Sequence, residues 1–414
     1  MTNSWRFARR GTFWSAAAVL ALCLWASGAP SVLYPVYAAE WHLPAVVTTS
    51  VFGAYPLALL IVLLFFGGLS DSIGRRRAML LGVALIAIAA AVFALAPNVG
   101  WLFAGRILQG LGTGFALGAA SAALVENNTS PNPRVASTLT TASTATGLTV
   151  ALILSGFLAQ YAPFPLVLSF AVLFVVAALV FVAVGLTPSD TAGLGAPSWK
   201  PKAIRMPRGM LLAFIAAVLS VSVAYSVGAI FLSLGAQMAR ELTGTTDLLV
   251  IGALLGVSSI AIGMTALFLR GVPAHVSIVV GGILSLGGLL VMAGAAAWGS
   301  LPLFFAWCIV GGIGYSFAFT GGLGLINKAA PVRHRGGTLS LVYLFSYLLQ
   351  ALTAVGAGAL ATALGLGVAV DIMAPLLGVL AVAAILFALI DVARARRSDS
   401  PSPALSHSSL ETRS

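Results

Sequence analysis

The ionisable side chains of this chain are few, and three of them stand at a spacing suited to ion pairing. Asp71 and Arg75 lie four positions apart in the charged stretch Gly67–Arg77, and Glu126 follows a later apolar run. Two carboxylates on either side of one guanidinium form ion pairs that hold chain segments together until they are broken. Alternatively, they are solvated loop charges, each worth less than about 1 kcal/mol.

Arg106 is the only formal charge inside a long apolar run, and Gln109 lies three positions further on. Residues three apart share a helix face, so the two polar side chains point the same way. An intramembrane charge usually faces the interior of a helix bundle near a substrate cavity. The other interpretation is that Arg106, about 7 Å from the helix end, extends to the membrane surface.

Residue patterns typical of enzymes are missing from the sequence. It contains neither H-E-x-x-H nor G-x-S-x-G, and its four histidines are scattered. Those motifs supply the metal or the nucleophile of common hydrolases. We therefore expect no catalytic residues, metal or cofactor, and a membrane-embedded enzyme is the weakest of the functional alternatives.

Composition indicates a membrane protein. The chain of 414 residues is 60% hydrophobic and 7% charged, which excludes an ordinary soluble domain. Its net charge of +11 comes from basic residues in short loops, where positive charge favours the cytoplasmic side of a membrane. This excess therefore does not indicate nucleic-acid binding. Cys23 and Cys308 lie within apolar runs and are expected to be buried, free thiols.

Twelve apolar runs are long enough to cross a bilayer as helices. They divide the chain into a cytoplasmic N-terminus (1–12), a first six-helix half (13–186), a cytoplasmic linker (187–209), a second six-helix half (210–392) and a disordered cytoplasmic tail (393–414). With both termini inside, every Lys and Arg except Arg106 and Arg240 falls on the cytoplasmic side. That asymmetry supports an all-α, multi-pass topology.

The second half of the chain repeats the first at an offset of about 200 residues. Gly110-Leu-Gly112-Thr-Gly114-Phe115 in the fourth run matches Gly312-Ile-Gly314-Tyr-Ser316-Phe317 in the tenth. Parallel repeats related by an axis along the membrane normal are one way in which secondary transporters are built. The charged stretch of the first half has no counterpart with a carboxylate in the second.

Two motifs resemble those of the major facilitator superfamily of secondary transporters. The stretch Gly67–Arg77 matches the pattern G-x-L-x-D-x-x-G-R-R-R of its signature loop, and Arg106–Gly112 matches R-x-x-Q-G-x-G. The resemblance implies that fold, with twelve helices in two halves. It also implies that the loop and its partner carboxylate latch the halves together in the outward-facing state. The residues of this gating site are Gly68, Asp71, Gly74, Arg75, Arg76 and Glu126.

Within that superfamily the chain is similar to the branch that exports drugs and sugars. The drug–proton antiporters carry G-x-x-x-G-P-x-x-G-G in the fifth helix; here Gly147 and Gly156 remain and the proline is absent. The P-E-S-P-R sequence of sugar importers is missing after the sixth helix. The resemblance therefore implies efflux of small organic molecules that are drug-, natural product- or sugar-like. A uniporter or importer with the same fold is the alternative.

A set of polar side chains is spread over the helices that line the cavity in this fold. Besides Arg106, these are Tyr34, Gln109, Thr141, Tyr225, Tyr315, Tyr343 and Gln350. Any one of them could instead be a helix–helix hydrogen bond or a core aromatic residue. Together they predict an aromatic, uncharged cavity with one cation near its outer end. Such a cavity suits a small amphipathic or hydroxylated solute better than a dianion.

Proton coupling needs a group that can titrate, and no Asp or Glu falls within a predicted span. The candidates are Glu40, at the outer end of the first span, and Asp71 with Glu126 at the inner surface. The alternative is a substrate that itself carries the charge. We expect a monomer in the plasma or inner membrane of a bacterium, whose partners are the lipid bilayer, a small-molecule substrate and protons.

Overall fold

The regular secondary structure of the described residues is all α-helix. The computed structural model describes residues 9–67, 69–132, 134–188, 210–269 and 271–398. Within these residues the helices are α1 (Arg9–Trp41), α2 (Ala45–Phe66), α3 (Leu69–Ile73), α4 (Arg75–Ala94), α5 (Val99–Glu126), α6 (Arg134–Tyr161), α7 (Pro165–Gly185), α8 (Leu211–Thr243), α9 (Leu248–Phe268), α10 (Ala274–Trp298), α11 (Leu301–Ala329), α12 (Val332–Leu364) and α13 (Leu366–Ser398). All except α3 are long and apolar enough to span a membrane, so twelve spans are found, as predicted.

Sequence explains both the helices and several of their ends. In hydrocarbon a long apolar segment satisfies its own backbone polar groups only as a helix. Side chains that accept hydrogen bonds from free N–H groups begin three of the spans: Asn98 Oδ1 accepts from the Gly100 amide, Asp247 Oδ1 from the Leu249 and Val250 amides, and Ser300 Oγ from the Leu303 amide. All three caps lie at the same end of the bundle.

We call the end of the bundle that carries Asp71 and Arg75 the turn face, and the opposite end the far face. Helices α1–α7 form one half and α8–α13 the other. The halves meet where α2 packs on α12 and α6 packs on α9. Large apolar side chains of α7, α10 and α13 point outward, for example Leu179, Leu290 and Val379, as expected of a lipid-facing surface.

Glycines of the internal repeat make equivalent contacts in the two halves. A Cβ atom on Gly110 would lie 2.4 Å from the Tyr55 carbonyl oxygen of the second span, and one on Gly312 would lie 2.7 Å from the Ser258 carbonyl oxygen of the eighth. A residue with a side chain cannot approach a neighbouring backbone so closely. The predicted repeat is thus a repeat of helix packing as well as of sequence.

The first and the last helix extend beyond the predicted bounds of the two halves. Helix α1 begins at Arg9, four residues before the predicted start, and α13 continues to Ser398, so residues 393–398 are helical and not part of a disordered tail. The Ala-Arg-Ala-Arg-Arg run that follows Val392 consists of strong helix formers, which explains the extension. The predicted segments 1–8, 189–209 and 399–414 lie outside the described residues, as does Gly68. Cys23 and Cys308 are buried and free, as predicted.

Candidate functional site

A cavity of about 430 Å³ lies between the two halves. Its lining comes from α1, α2, α5 and α6 in the first half and from α8, α9, α11 and α12 in the second. It begins at Ser27, near the middle of α1, and at Trp307, about two turns from the far-face end of α11, and continues toward the turn face, where Ser121, Thr140 and Ala266 line it. The four remaining spans lie outside the cavity.

The first half contributes a wall of hydroxyl groups to this cavity. Thr140, Thr141 and Thr144 of α6 line it, and each donates its hydroxyl hydrogen to a carbonyl of its own helix. On α5, Ser121 does the same with the Leu117 carbonyl. Because these hydrogens are already donated, the hydroxyl oxygens offer mainly acceptor lone pairs to a ligand.

Five aromatic rings of the second half lie in contact with one another along the cavity, and we call them the aromatic wall. Their members are Tyr225, Tyr315, Phe319, Tyr343 and Tyr347, from α8, α11 and α12. The centroid of the Tyr225 ring lies 5.7 Å from that of Phe319 and 4.7 Å from that of Tyr347, and the Tyr343 and Tyr347 rings are 6.0 Å apart. These separations are typical of favourable aromatic pairs.

Arg106 is fully buried behind the cavity. Its Nε and Nη2 donate to Tyr34 Oη at 2.9 and 2.5 Å, and its Nη1 donates to the Ser27 carbonyl oxygen at 2.9 Å and to Gln109 Oε1 at 3.2 Å. Its guanidinium carbon is also 5.8 Å from the ring centroid of Tyr55, which lines the cavity. The ion pairs of the described residues do not include Arg106, so hydrogen bonds and aromatic faces stabilise its charge.

The predicted cavity residues therefore fall into two groups. Five of them line the cavity: Thr141, Tyr225, Tyr315, Tyr343 and Gln350. Arg106, Gln109 and Tyr34 instead bond to one another between α1 and α5, separated from the cavity by Tyr55. Because Arg106 is fully buried, its side chain does not extend to the membrane surface.

The predicted gating residues form a compact charge cluster at the turn face. Arg75 Nη1 lies 2.5 Å from Asp71 Oδ1 and Arg75 Nε lies 3.2 Å from Glu126 Oε1, so the ion pairs join α3, α4 and α5 of the first half. The Asp71 and Glu126 side chains are 55% and 52% exposed. Exposed pairs of this kind are worth only about 0–1 kcal/mol, which makes the cluster easy to open.

Two other predicted gating residues have local structural contacts. Gly74 has a φ of 92°, a conformation that favours glycine, and this sets the reversal between α3 and α4. Arg76 donates hydrogen bonds to the carbonyl oxygens of Val184 and Gly185, at the end of α7. A cation at the carboxyl end of a helix stabilises its free carbonyl groups, so this contact anchors α7 to α4.

The far face of the bundle is closed by close backbone packing between the halves. A Cβ atom on Gly358 of α12 would lie 1.8 Å from Thr49 Oγ1 of α2, and one on Gly156 of α6 would lie 2.4 Å from the Leu248 carbonyl oxygen of α9. Two hydrogen bonds cross the same interfaces, from the Val46 amide to Thr362 and from the Leu248 amide to Gln160. The cavity is thus sealed toward the far face.

One hydrogen-bonded contact between distant helices was not predicted from the sequence. His275 Nε2, at the start of α10, lies 2.8 Å from Asp391 Oδ2 on α13, at the turn face of the second half. The position of His275 corresponds to the charged stretch of the first half, which appeared to have lost its carboxylate. The structure shows that the last helix supplies one instead. Only the repeat pointed to this region, because the partners are 116 positions apart.

The sequence profile described as Major Facilitator Superfamily matches residues 14–286. No curated protein matches the chain. Among solved structures, a mutant of the nucleoside transporter NupG is 13% identical with a TM-score of 0.73, and the match covers 92% of this chain and 99% of that one. A bacterial homolog of the human lysosomal transporter Spinster, in an inward-facing and unoccupied conformation, is 15% identical with a TM-score of 0.66, covering 98% and 100%.

Proposed function

Because the chain belongs to the Major Facilitator Superfamily, we propose that it is a secondary transporter that exports small organic molecules by alternating access. The observation that carries this proposal is a cavity between two halves that is sealed at the far face and extends toward the turn face. In alternating access the halves rock around a fixed central site, so that it opens to one side at a time. The cavity lies within one chain, which is consistent with a monomer.

Export is proposed because the chain keeps Gly147 and Gly156 of the fifth-helix motif of the drug–proton antiporters and lacks the P-E-S-P-R sequence of sugar importers. Uptake and facilitated diffusion use the same fold and are the competing functions. Purified protein in vesicles, tested against a panel of drug-, natural product- and sugar-like compounds, separates them. Accumulation against a concentration gradient, in the direction away from the turn face, supports export. Movement that stops at equal concentrations identifies a uniporter, and accumulation in the opposite direction identifies an importer.

We propose that the turn face is cytoplasmic, in the plasma or inner membrane of a bacterium. The basic side chains of Arg9, Arg10, Arg75, Lys328 and Arg394 all belong to helix ends at this face, and positive charge favours the cytoplasmic side. A reporter that fluoresces only in the cytoplasm is expected to be bright when fused after Ser414 or inserted after Trp199. A dark reporter on inserted protein would show that the orientation is reversed.

Proton coupling is proposed to use Glu40 or the turn-face cluster of Asp71 and Glu126. No Asp or Glu is among the described residues that line the cavity, so none of these residues is a carboxylate that could carry a proton through its middle. Glu40 is exposed at the far-face end of α1, and Asp71 is exposed at the turn face. Each is therefore in contact with solution on one side of the bilayer.

We expect Glu40→Gln or Asp71→Asn to lower accumulation driven by a pH gradient at least about fivefold, while expression is retained because neither side chain is buried. Asp71→Asn also removes the ion pair between Asp71 and Arg75, so it tests whether this turn-face cluster holds the transporter in one conformation. Asp371→Asn, at an exposed site on α13, is the matched control. If both test variants accumulate substrate like the wild type under a pH gradient, neither residue couples protons. If the wild type itself ignores the gradient, the protein is a facilitator.

A further inference from the structure

The cavity has two chemically different sides, and this difference points to a class of substrate. On the basis of the proposed transport function, we infer that the site selects uncharged molecules that carry an aromatic ring at one end and hydroxyl or amide donors at the other. The three parts of this inference come from the aromatic wall, from the polar atoms around it and from the position of the nearest charge.

The ring end of such a molecule fits the aromatic wall. The rings of Tyr225, Tyr315 and Phe319 lie within 24° of parallel, with centroids 5.7 to 6.4 Å apart. Their edges and faces line the cavity, so a flat ring entering it gains the same offset or edge contacts that the tyrosines make with one another. Gly228 keeps this part of the wall open, since a Cβ atom there would lie 3.1 Å from the Tyr315 ring.

The polar end of the molecule fits groups that accept hydrogen bonds. Thr140, Thr141 and Thr144 face the cavity with their hydrogens already donated to α6, so they act as acceptors toward a ligand. Across the cavity, Gln350 Oε1 and the Ser316 hydroxyl are buried without a hydrogen-bond partner, and Ser316 is only 2% exposed. A buried polar atom without a partner is costly, and a ligand hydroxyl or amide would supply one.

The cavity disfavours both anionic and cationic ligands. The residues lining the cavity carry no formal charge, so an ionic ligand would lose its hydration without gaining a partner. The nearest cation, Arg106, lies behind the Tyr55 ring and repels other cations. Four of its five N–H groups already donate to Tyr34, Gln109 and the Ser27 carbonyl, so little of its hydrogen-bonding capacity is left for an anion in the cavity.

Four probes that differ only in the relevant feature test this inference on the purified full-length protein. 4-Nitrophenyl β-D-glucoside has the ring and hydroxyl donors; glucose lacks the ring; 4-nitrophenyl β-D-glucuronide and 4-nitrophenyl 6-amino-6-deoxy-β-D-glucoside keep ring and hydroxyls and carry a negative and a positive charge. By isothermal titration in detergent we expect the glucoside to bind at least about tenfold more tightly than each of the others. Equal binding of a charged analogue, or of glucose, would overturn the inference, as would the absence of binding by all four.

Variants connect this binding to the aromatic wall. Tyr225→Leu should weaken binding of the glucoside about tenfold, whereas Tyr225→Phe keeps the ring and should stay within about threefold of the wild type. Phe305→Leu, at an outward-facing position on α11, is the matched control and should bind normally. Wild-type affinity in Tyr225→Leu would contradict the role of the wall, and a thermal-unfolding midpoint of Tyr225→Leu equal to that of the wild type excludes misfolding as the reason for a loss.

The proposed transport function and the inferred substrate class can be refuted independently of each other. Binding in detergent requires no movement across a membrane, so a protein that binds the glucoside but does not carry it refutes transport of this substrate and leaves the inference about binding intact. A protein that transports one of the charged probes refutes the inference about substrate class and leaves the transport function intact.

Discussion

Gly358→Leu should open the far face and close the turn face. A Cβ atom at this position would lie 1.8 Å from Thr49 Oγ1 and 2.8 Å from Thr49 Cβ. Thr49 belongs to α2 and is fully buried where this helix packs against α12. The bulky side chain is therefore penalised only in the conformation in which these two helices touch. Overpacking typically costs about 1–3 kcal/mol, and each 1.4 kcal/mol changes the ratio of two conformations tenfold.

Cysteine labelling measures this shift. In the Thr141→Cys background, a membrane-impermeant thiol reagent supplied from the turn face should react at least about tenfold more slowly when Gly358→Leu is added. The native cysteines are buried and so contribute little background. Gly356→Leu is the matched control on the same helix, because a Cβ atom there meets nothing within 4 Å. Equal labelling rates in the two glycine variants would show that the far-face contact does not govern access.

Arg106→Lys should destabilise the first half and abolish most transport. Lysine keeps the charge but lacks the planar fork that reaches Tyr34, Gln109 and the Ser27 carbonyl together. Two or more of the four hydrogen bonds are lost, and the ammonium group is more strongly hydrated than a guanidinium. Because hydrogen bonds to charged groups are worth about 1.5–3 kcal/mol each, we expect a loss of at least about 2 kcal/mol.

The expected results for Arg106→Lys are a lower midpoint of thermal unfolding in detergent and a transport rate reduced at least about tenfold. Arg240→Lys, an exposed position at the end of α8, is the control and should change neither quantity. Tyr34→Phe removes only the hydroxyl that accepts two hydrogen bonds from Arg106. Its unfolding midpoint and transport rate should lie between those of Arg106→Lys and Arg240→Lys. An Arg106→Lys protein with normal unfolding and normal transport would show that the buried network has no role.

The turn-face cluster could be predicted from sequence because its geometry is local. Asp71 and Arg75 are four residues apart at a helix start, and Glu126 ends a span at the same membrane surface, so topology alone brings them together. The spans and the glycine repeat were predictable for a similar reason, since bilayer thickness fixes helix length and close packing requires small residues.

The position of Arg106 could not be decided from sequence. Its distance along α5 is the same whether the side chain turns inward or extends to the surface, and only the rotation of α5 against α1 and α2 distinguishes the two. That rotation comes from packing, with Gly110 pressed against the Tyr55 carbonyl of α2. The same rotation directs Gln109 and Tyr34 to Arg106 and away from the cavity. The pairing of His275 with Asp391 likewise depends on how α13 packs on α10.

The central claim is that the two faces open in alternation, and paired distance measurements test it most directly. Spin labels at Val125 and Lys328 report the turn face, and labels at Tyr161 and Leu364 report the far face; all four side chains are exposed and each pair spans the two halves. We expect two populations at each pair, with Gly358→Leu shortening the turn-face distance and lengthening the far-face distance together. A single distance at each pair, unchanged by this substitution, by a pH gradient or by the glucoside, would contradict alternating access.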